Sequence, residues 1–122
     1  MLICFDVDGT LDCKDNDNES SYLKGIIPEK LLVELWKKGH EIAIVSPSPY
    51  FPDKWKGKNH WFAEFGSNEM RWRNISDAMA FYKRTSDLTI YVDDLEANRK
   101  NVLKIFQDIT CYSPEEFMRL KI

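Results

Sequence analysis

Short apolar runs of strand length alternate along the chain with longer amphipathic stretches. Leu2-Ile3-Cys4-Phe5, Glu41 to Ser46 (Glu-Ile-Ala-Ile-Val-Ser) and Leu88 to Val92 (Leu-Thr-Ile-Tyr-Val) are near-continuous apolar segments, the kind buried on both faces of a parallel sheet. His60 to Phe65 and Ile109 to Tyr112 read as two further strands. Between them the apolar spacing turns helical. Pro28 starts a helix with Leu31, Leu32, Leu35 and Trp36 on one face, and Lys37-Lys38-Gly39 supplies a basic last turn and a glycine stop. Asn74 or Ser76 caps a second helix running to about Arg84, with Ile75, Ala78, Met79 and Phe81-Tyr82 as its apolar side. A third covers Leu95 to Gln107. The fourth opens at Ser113-Pro114-Glu115-Glu116, which is both a capping box and a proline at the first helical position.

This alternation predicts an α/β fold: a single doubly wound, Rossmann-like domain over residues 1–122, with a mainly parallel five-stranded sheet and no cap domain. Two segments break the pattern. Asp12 to Ser21 is polar, acidic and rich in turn formers, while Pro47, Pro49 and Pro52 with Lys54-Trp55-Lys56-Gly57-Lys58 rule out a regular helix from 47 to 59. Loops 12–27 and 47–59 are expected near the active site, because doubly wound sheets bind ligands beyond the carboxyl ends of their strands, where the winding reverses. Asp6, Asp8, Ser46, Asp93 and Asp94 all stand at such ends.

Asp6 and Asp8 lie one residue apart on the same side of an extended backbone, and Gly9 allows a sharp bend immediately after them. Two like charges this close either share a proton or sit on a cation, and a hard cation such as Mg²⁺ suits them. Asp6-Val7-Asp8-Gly9-Thr10-Leu11 resembles, position by position, the first motif of the haloacid-dehalogenase-like (HAD) phosphohydrolases. Ser46 is similar to the hydroxyl residue of that family's second motif, and Asp93-Asp94 to its acidic fourth motif. The third-motif lysine has no clear counterpart. Arg71 and Arg73 stand where it is usually found, and Lys83 is at the wrong end of its helix.

The resemblance implies a minimal, capless Mg²⁺-dependent phosphatase that hydrolyses a phosphate monoester through a phospho-aspartate on Asp6. A carboxylate nucleophile splits one hard displacement into two easier ones, and a second carboxylate, Asp8, can protonate the leaving oxygen and then activate water. Phosphoryl transfer also needs charge neutralisation. By resemblance, Asp6, the backbone carbonyl of Asp8 and Asp94 hold the metal, with Asp93 behind them or as an alternate ligand. Ser46 and the amides around Gly9 and Thr10 donate to the phosphate, and Arg71 or Arg73 balances the phospho-aspartate. Two other readings compete: a receiver-like phospho-acceptor, whose aspartate would end a central strand, and a metal-binding HAD-like module with little turnover.

Composition narrows the partners. The chain is 43% apolar and 30% charged with a net charge of −3, which is ordinary for a globular protein and gives no bulk attraction to nucleic acid or anionic membrane. No apolar run approaches the roughly 20 residues that span a bilayer. Cys4, Cys13 and Cys111 are scattered, as reduced thiols would be, so the expected location is cytoplasmic. His40 and His60 have no partner at metal-ligand spacing. The ring-and-cation mixture of Lys54 to Trp61 could stack on bases, but aromatics covering the sheet with lysines in water is the preferred reading. The expected partner is a phosphorylated substrate, either a small molecule or a macromolecular end, with a homo-oligomer as one way to supply a lid.

Overall fold

Leu2–Phe5 forms β1, and all four side chains are buried, as a strand covered on both faces requires. In the computed structural model, which describes residues 1–12, 25–47 and 60–121, β1 lies in the middle of a parallel sheet. It pairs with β2 (Glu41–Ile44), Leu2 opposite Glu41 and Phe5 opposite Ile44, and on its other side with β4 (Thr89–Val92), Leu2 opposite Thr89 and Phe5 opposite Val92. β5 (Thr110–Tyr112) extends the β4 side. The four full strands therefore run β2-β1-β4-β5, and at the β2 edge the two residues of β3 (His60–Trp61) add a short pairing with Ala43 and Ile44.

The helices alternate with the strands and divide between the two faces. α1 (Glu29–Lys37) and α4 (Pro114–Met118) bring Leu32, Leu35 and Phe117 to the face carrying Ile3, Phe5 and Val92. α2 (Arg71–Tyr82) and α3 (Glu96–Ile105) bring Ile75, Ala78, Met79 and Val102 to the face carrying Leu2, Cys4, Ala43 and Tyr91. A Rossmann-like α/β arrangement follows from that division. The winding direction changes at β1, since the chain goes from β1 to β2 on one side and returns to β4 on the other. The carboxyl end of β1 is thus the expected binding crevice.

Several boundaries differ from the pattern-based expectation. The strand expected over His60 to Phe65 pairs only at His60–Trp61, with Phe62 N–H reaching Ile44 O at 2.7 Å. Further along, the Phe65 backbone bonds instead to the Asn74 side chain: its N–H donates to Oδ1 (3.1 Å) and its carbonyl accepts from Nδ2 (2.9 Å). Asn74 also donates to Val45 O at 3.2 Å, so it clasps a loop and a strand end rather than capping a helix. α2 starts at Arg71, four residues before the Ile75 start that an Asn74 cap implies, and is entered through a single 3₁₀ turn, Asn68–Met70. Trp36, assigned to the buried side of α1, is 65% exposed, because it sits about 100° round the helix from buried Leu35. The Ser113 cap is as expected, its hydroxyl accepting from Glu116 N–H (3.2 Å) while Glu116 accepts from Ser113 N–H (2.9 Å). No helix of the described residues is long and apolar enough to cross a membrane. Cys4 is buried and Cys111 partly buried. Cys13, the acidic stretch 13–21 and the lysines 54, 56 and 58 lie outside the described residues.

Candidate functional site

The strand ends expected to converge do so. Beyond the carboxyl ends of β1, β2 and β4 opens a cavity of about 570 Å³ whose lining includes Asp6, Asp8, Ser46, Asn68, Arg71 and Asp94. Its walls come from chain-distant segments held together by parallel pairing: Asp6 N–H donates to Val92 O (3.0 Å) and Val45 N–H to Phe5 O (3.0 Å). Trp61 Nε1 donates to Ser46 O at 2.5 Å and so ties the short edge pairing to the second strand end.

Of the two arginines, Arg71 is the one beside Asp6. Its guanidinium is 3% exposed, and Nη1 lies 2.7 Å from Asp6 Oδ1 and 3.8 Å from Asp93 Oδ2. Nη2 donates to Asn68 Oδ1 at 3.0 Å. Arg73 does not belong to the site: it is exposed, its guanidinium stacked 5.1 Å over Phe65 and 5.2 Å over Trp72. Helix phase explains the choice, since Arg71 shares the buried face with Ile75, Ala78 and Met79, four, seven and eight residues on, whereas Arg73 points about 200° away from Arg71. That spacing was readable in the sequence once the helix began at 71.

The two acids at the end of β4 divide in the same way. Asp93 is fully buried and its carboxylate is already well supplied with donors: Leu95 N–H on Oδ1 (2.9 Å), and Asn98 Nδ2 (3.0 Å) and the Tyr91 hydroxyl on Oδ2. Asp94 is exposed and lines the cavity. The Thr10 hydroxyl lies between Asp6 Oδ2 (3.1 Å) and Asp94 Oδ1 (3.5 Å) and accepts from Asp94 N–H (3.2 Å). The Thr10 hydroxyl thus links the two carboxylates. The residue is fully buried, and its own N–H is spent on Val7 O at 3.0 Å.

Gly9 has φ +76°, and a Cβ placed there would come within 2.3 Å of Asp94 Oδ2. Glycine is therefore needed for both the turn and the approach of Asp94. Gly9→Ala is expected to cost about 1–2 kcal/mol of stability from the left-handed backbone and to push Asp94 out of the cluster. Divalent-cation affinity should fall by about tenfold or more. Urea unfolding and titration calorimetry read the two effects separately.

One oxygen from each of Asp6, Asp93 and Asp94 can be chosen so that all lie within 4.8 Å of one another. An all-carboxylate set of this kind fits a hard divalent cation such as Mg²⁺. Asp6 and Asp94 line the cavity and suit direct ligation, while Asp93, fully buried and not part of that lining, backs them. Burial, then the neighbouring Asp93 charge, pushes the Asp6 carboxyl up from its ordinary 3.8 to about 7, although Arg71 pulls against both. Burial and Asp93 also raise Asp94.

A carboxyl whose folded pKa lies above its unfolded one binds its proton more tightly when folded, so stability falls as pH rises between the two values. In EDTA the urea midpoint should therefore be higher at pH 5.5 than at pH 8. His40, held below its ordinary value by burial, acts in the opposite sense but is only partly buried. Mg²⁺ should restore stability most at the higher pH, where it does not have to displace a proton.

Three polar residues here, Asn68, Tyr91 and Asn98, escaped the sequence reading, and Asn74 entered it only as a helix cap. Only Tyr91 carried a signal, standing two residues before Asp93 and hence on the same side of β4. Against known proteins, no family model matches the chain, and no curated protein matches it.

Proposed function

We propose that the chain is a HAD-type, Mg²⁺-dependent phosphatase acting on a phosphate monoester. One observation carries the reading: a buried arginine 2.7 Å from Asp6, in a cavity that Asp8, Ser46 and Asp94 also line, at the point where the winding of a parallel sheet reverses. Asp6 is the nucleophile. Its Oδ1 is oriented by Arg71 and its Oδ2 by Thr10, which holds the carboxylate in a fixed plane toward the cavity. Asp8 follows on the same strand end and takes the proton role, giving a proton to the leaving oxygen and later receiving one from the attacking water.

Arg71 fills the place of the family's lysine and balances the charge of the phospho-aspartate with a planar fork rather than a point charge. The Ser46 hydroxyl, at the cavity wall, is the neutral donor to the phosphoryl oxygens. Bound Mg²⁺, held by Asp6, Asp94 and the Asp8 carbonyl, would neutralise the carboxylates and polarise the phosphoryl group. The substrate is a small phosphorylated molecule or the phosphorylated end of a larger one, and the cytosol is the place of action.

The discriminating experiment is phosphate release from an aryl phosphate with and without Mg²⁺, for wild type and Asp6→Asn. Metal-dependent release lost in the variant supports the reading. Because β1 is the central strand, Asp6 also stands where a receiver-like acceptor would need its aspartate. A stable phospho-aspartate acquired from acetyl phosphate, with no release, would favour that acceptor. Metal binding without either would favour a module that has lost turnover.

A further inference from the structure

The phenol of Tyr91 is an unusual group to find at the middle of a parallel sheet. Its ring fills the apolar face with Cys4, Val45 and Ile75, and a phenylalanine would fill that space equally well. A hydroxyl buried there is costly unless it is bonded, and both of its partners belong to the site. It donates to Asp93 Oδ2, and it accepts from Arg71 Nη1 at 3.4 Å. The bonds form one chain across four elements: Asn98 on α3 and Tyr91 on β4 both donate to Asp93, and Arg71 on α2 donates to Tyr91 and to Asp6 after β1.

We infer that Tyr91 is a positioning residue whose hydroxyl holds the Arg71 guanidinium on Asp6 and keeps it off Asp93. Arg71 Nη1 lies 2.7 Å from Asp6 but 3.8 Å from Asp93, although both carboxylates are buried and both attract it. The tyrosine proton occupies Asp93 Oδ2, and the tyrosine oxygen gives Arg71 a neutral acceptor on that side. Without the hydroxyl, the strongest remaining attraction on that side is Asp93 itself. Little else fixes the guanidinium: Nη2 has Asn68, and the buried Nε has no hydrogen-bond partner among the described residues. An arginine, longer and forked, needs such a rest more than a lysine at the same place would.

The catalytic consequence rests on the phosphatase reading, whereas the Tyr91–Arg71 link does not, and the test separates them. Tyr91→Phe keeps the ring and removes only the hydroxyl. With an aryl phosphate and Mg²⁺, kcat should fall about 10- to 100-fold while KM stays within about twofold, the pattern of an interaction that matters in the transition state. Urea unfolding of Tyr91→Phe, Arg71→Met and the double variant forms a cycle that needs no substrate. The midpoint loss in the double variant should be clearly smaller than the sum of the single losses. A kcat within twofold of wild type overturns the inference. So does a kcat loss accompanied by additive midpoints, which would mean that the hydroxyl is not coupled to Arg71. If wild type releases no phosphate, the phosphatase reading fails and the unfolding cycle alone decides: non-additive midpoints keep the Tyr91–Arg71 link, additive ones remove it.

Discussion

If the chain is the proposed phosphatase, Asp6→Asn should lower metal-dependent phosphate release by about 1,000-fold or more, because a carboxamide of the same shape cannot form the acyl phosphate. The same variant should be no less stable than wild type at pH 8 in EDTA, and this second result distinguishes a reactive carboxylate from a structural one. Asp6 is 5% exposed, and its carboxyl is raised to about 7 by burial and by Asp93 even with Arg71 bonded to it. The folded protein above pH 7 therefore pays for an ionised group that its surroundings disfavour. The amide removes that cost, on the order of a few kcal/mol at most, together with most of the decline in stability between pH 5.5 and 8. The remainder belongs to Asp94. A wild type and variant whose urea midpoints fall in parallel with pH would show that Asp6 is not the titrating group. Added Mg²⁺ should stabilise wild type at pH 8 and do much less for the variant, since one of the three acids has lost its charge.

Arg71→Met is expected to be the most damaging single change to the fold around the site. It leaves Asp6 and Asp93, both buried, without the guanidinium 2.7 and 3.8 Å away, and breaking a buried pair from one side costs about 3–5 kcal/mol. The loss should grow with pH. With the cation gone, the Asp6 carboxyl moves higher still, so at pH 5.5 the carboxyl is protonated in either protein and the difference shrinks, whereas at pH 8 it is largest. On the proposed phosphatase reading, turnover should fall about 100- to 1,000-fold, as when a charge-stabilising donor is removed from a catalytic site. Arg71→Lys should recover part of the stability, because it restores the charge but not the fork that spans Asp6, Tyr91 and Asn68. Arg73→Ala is the internal control. Its guanidinium stacks on Phe65 and Trp72 in the open, so turnover should stay within about twofold of wild type. A larger effect of Arg73 than of Arg71 would reverse the assignment of the cation.

Asp6, Asp8, Ser46 and Asp94 were legible as a group because each follows an apolar run, and parallel strands bring their carboxyl ends to one edge. The identity of the cation was not legible to the same degree. It depended on where α2 begins, and that depended on Asn74, whose amide looks like a helix cap in the sequence and clasps Val45 and Phe65 in the structure. At Thr10 too the structure adds what the sequence does not carry. The threonine amide is consumed by the turn that Gly9 permits, which leaves only the hydroxyl to act, between Asp6 and Asp94.

Hydrophobic periodicity by itself determined the order of strands and helices and the placing of the acids at strand ends, because the period of burial is a local property of the backbone. The tertiary structure alone decided which arginine enters the site, which aspartate faces the cavity and which is enclosed, and that a tyrosine hydroxyl stands beneath them. Those outcomes follow from side-chain hydrogen bonds between residues as far apart as Asp6 and Arg71, where a buried polar group must find a partner wherever the fold supplies one.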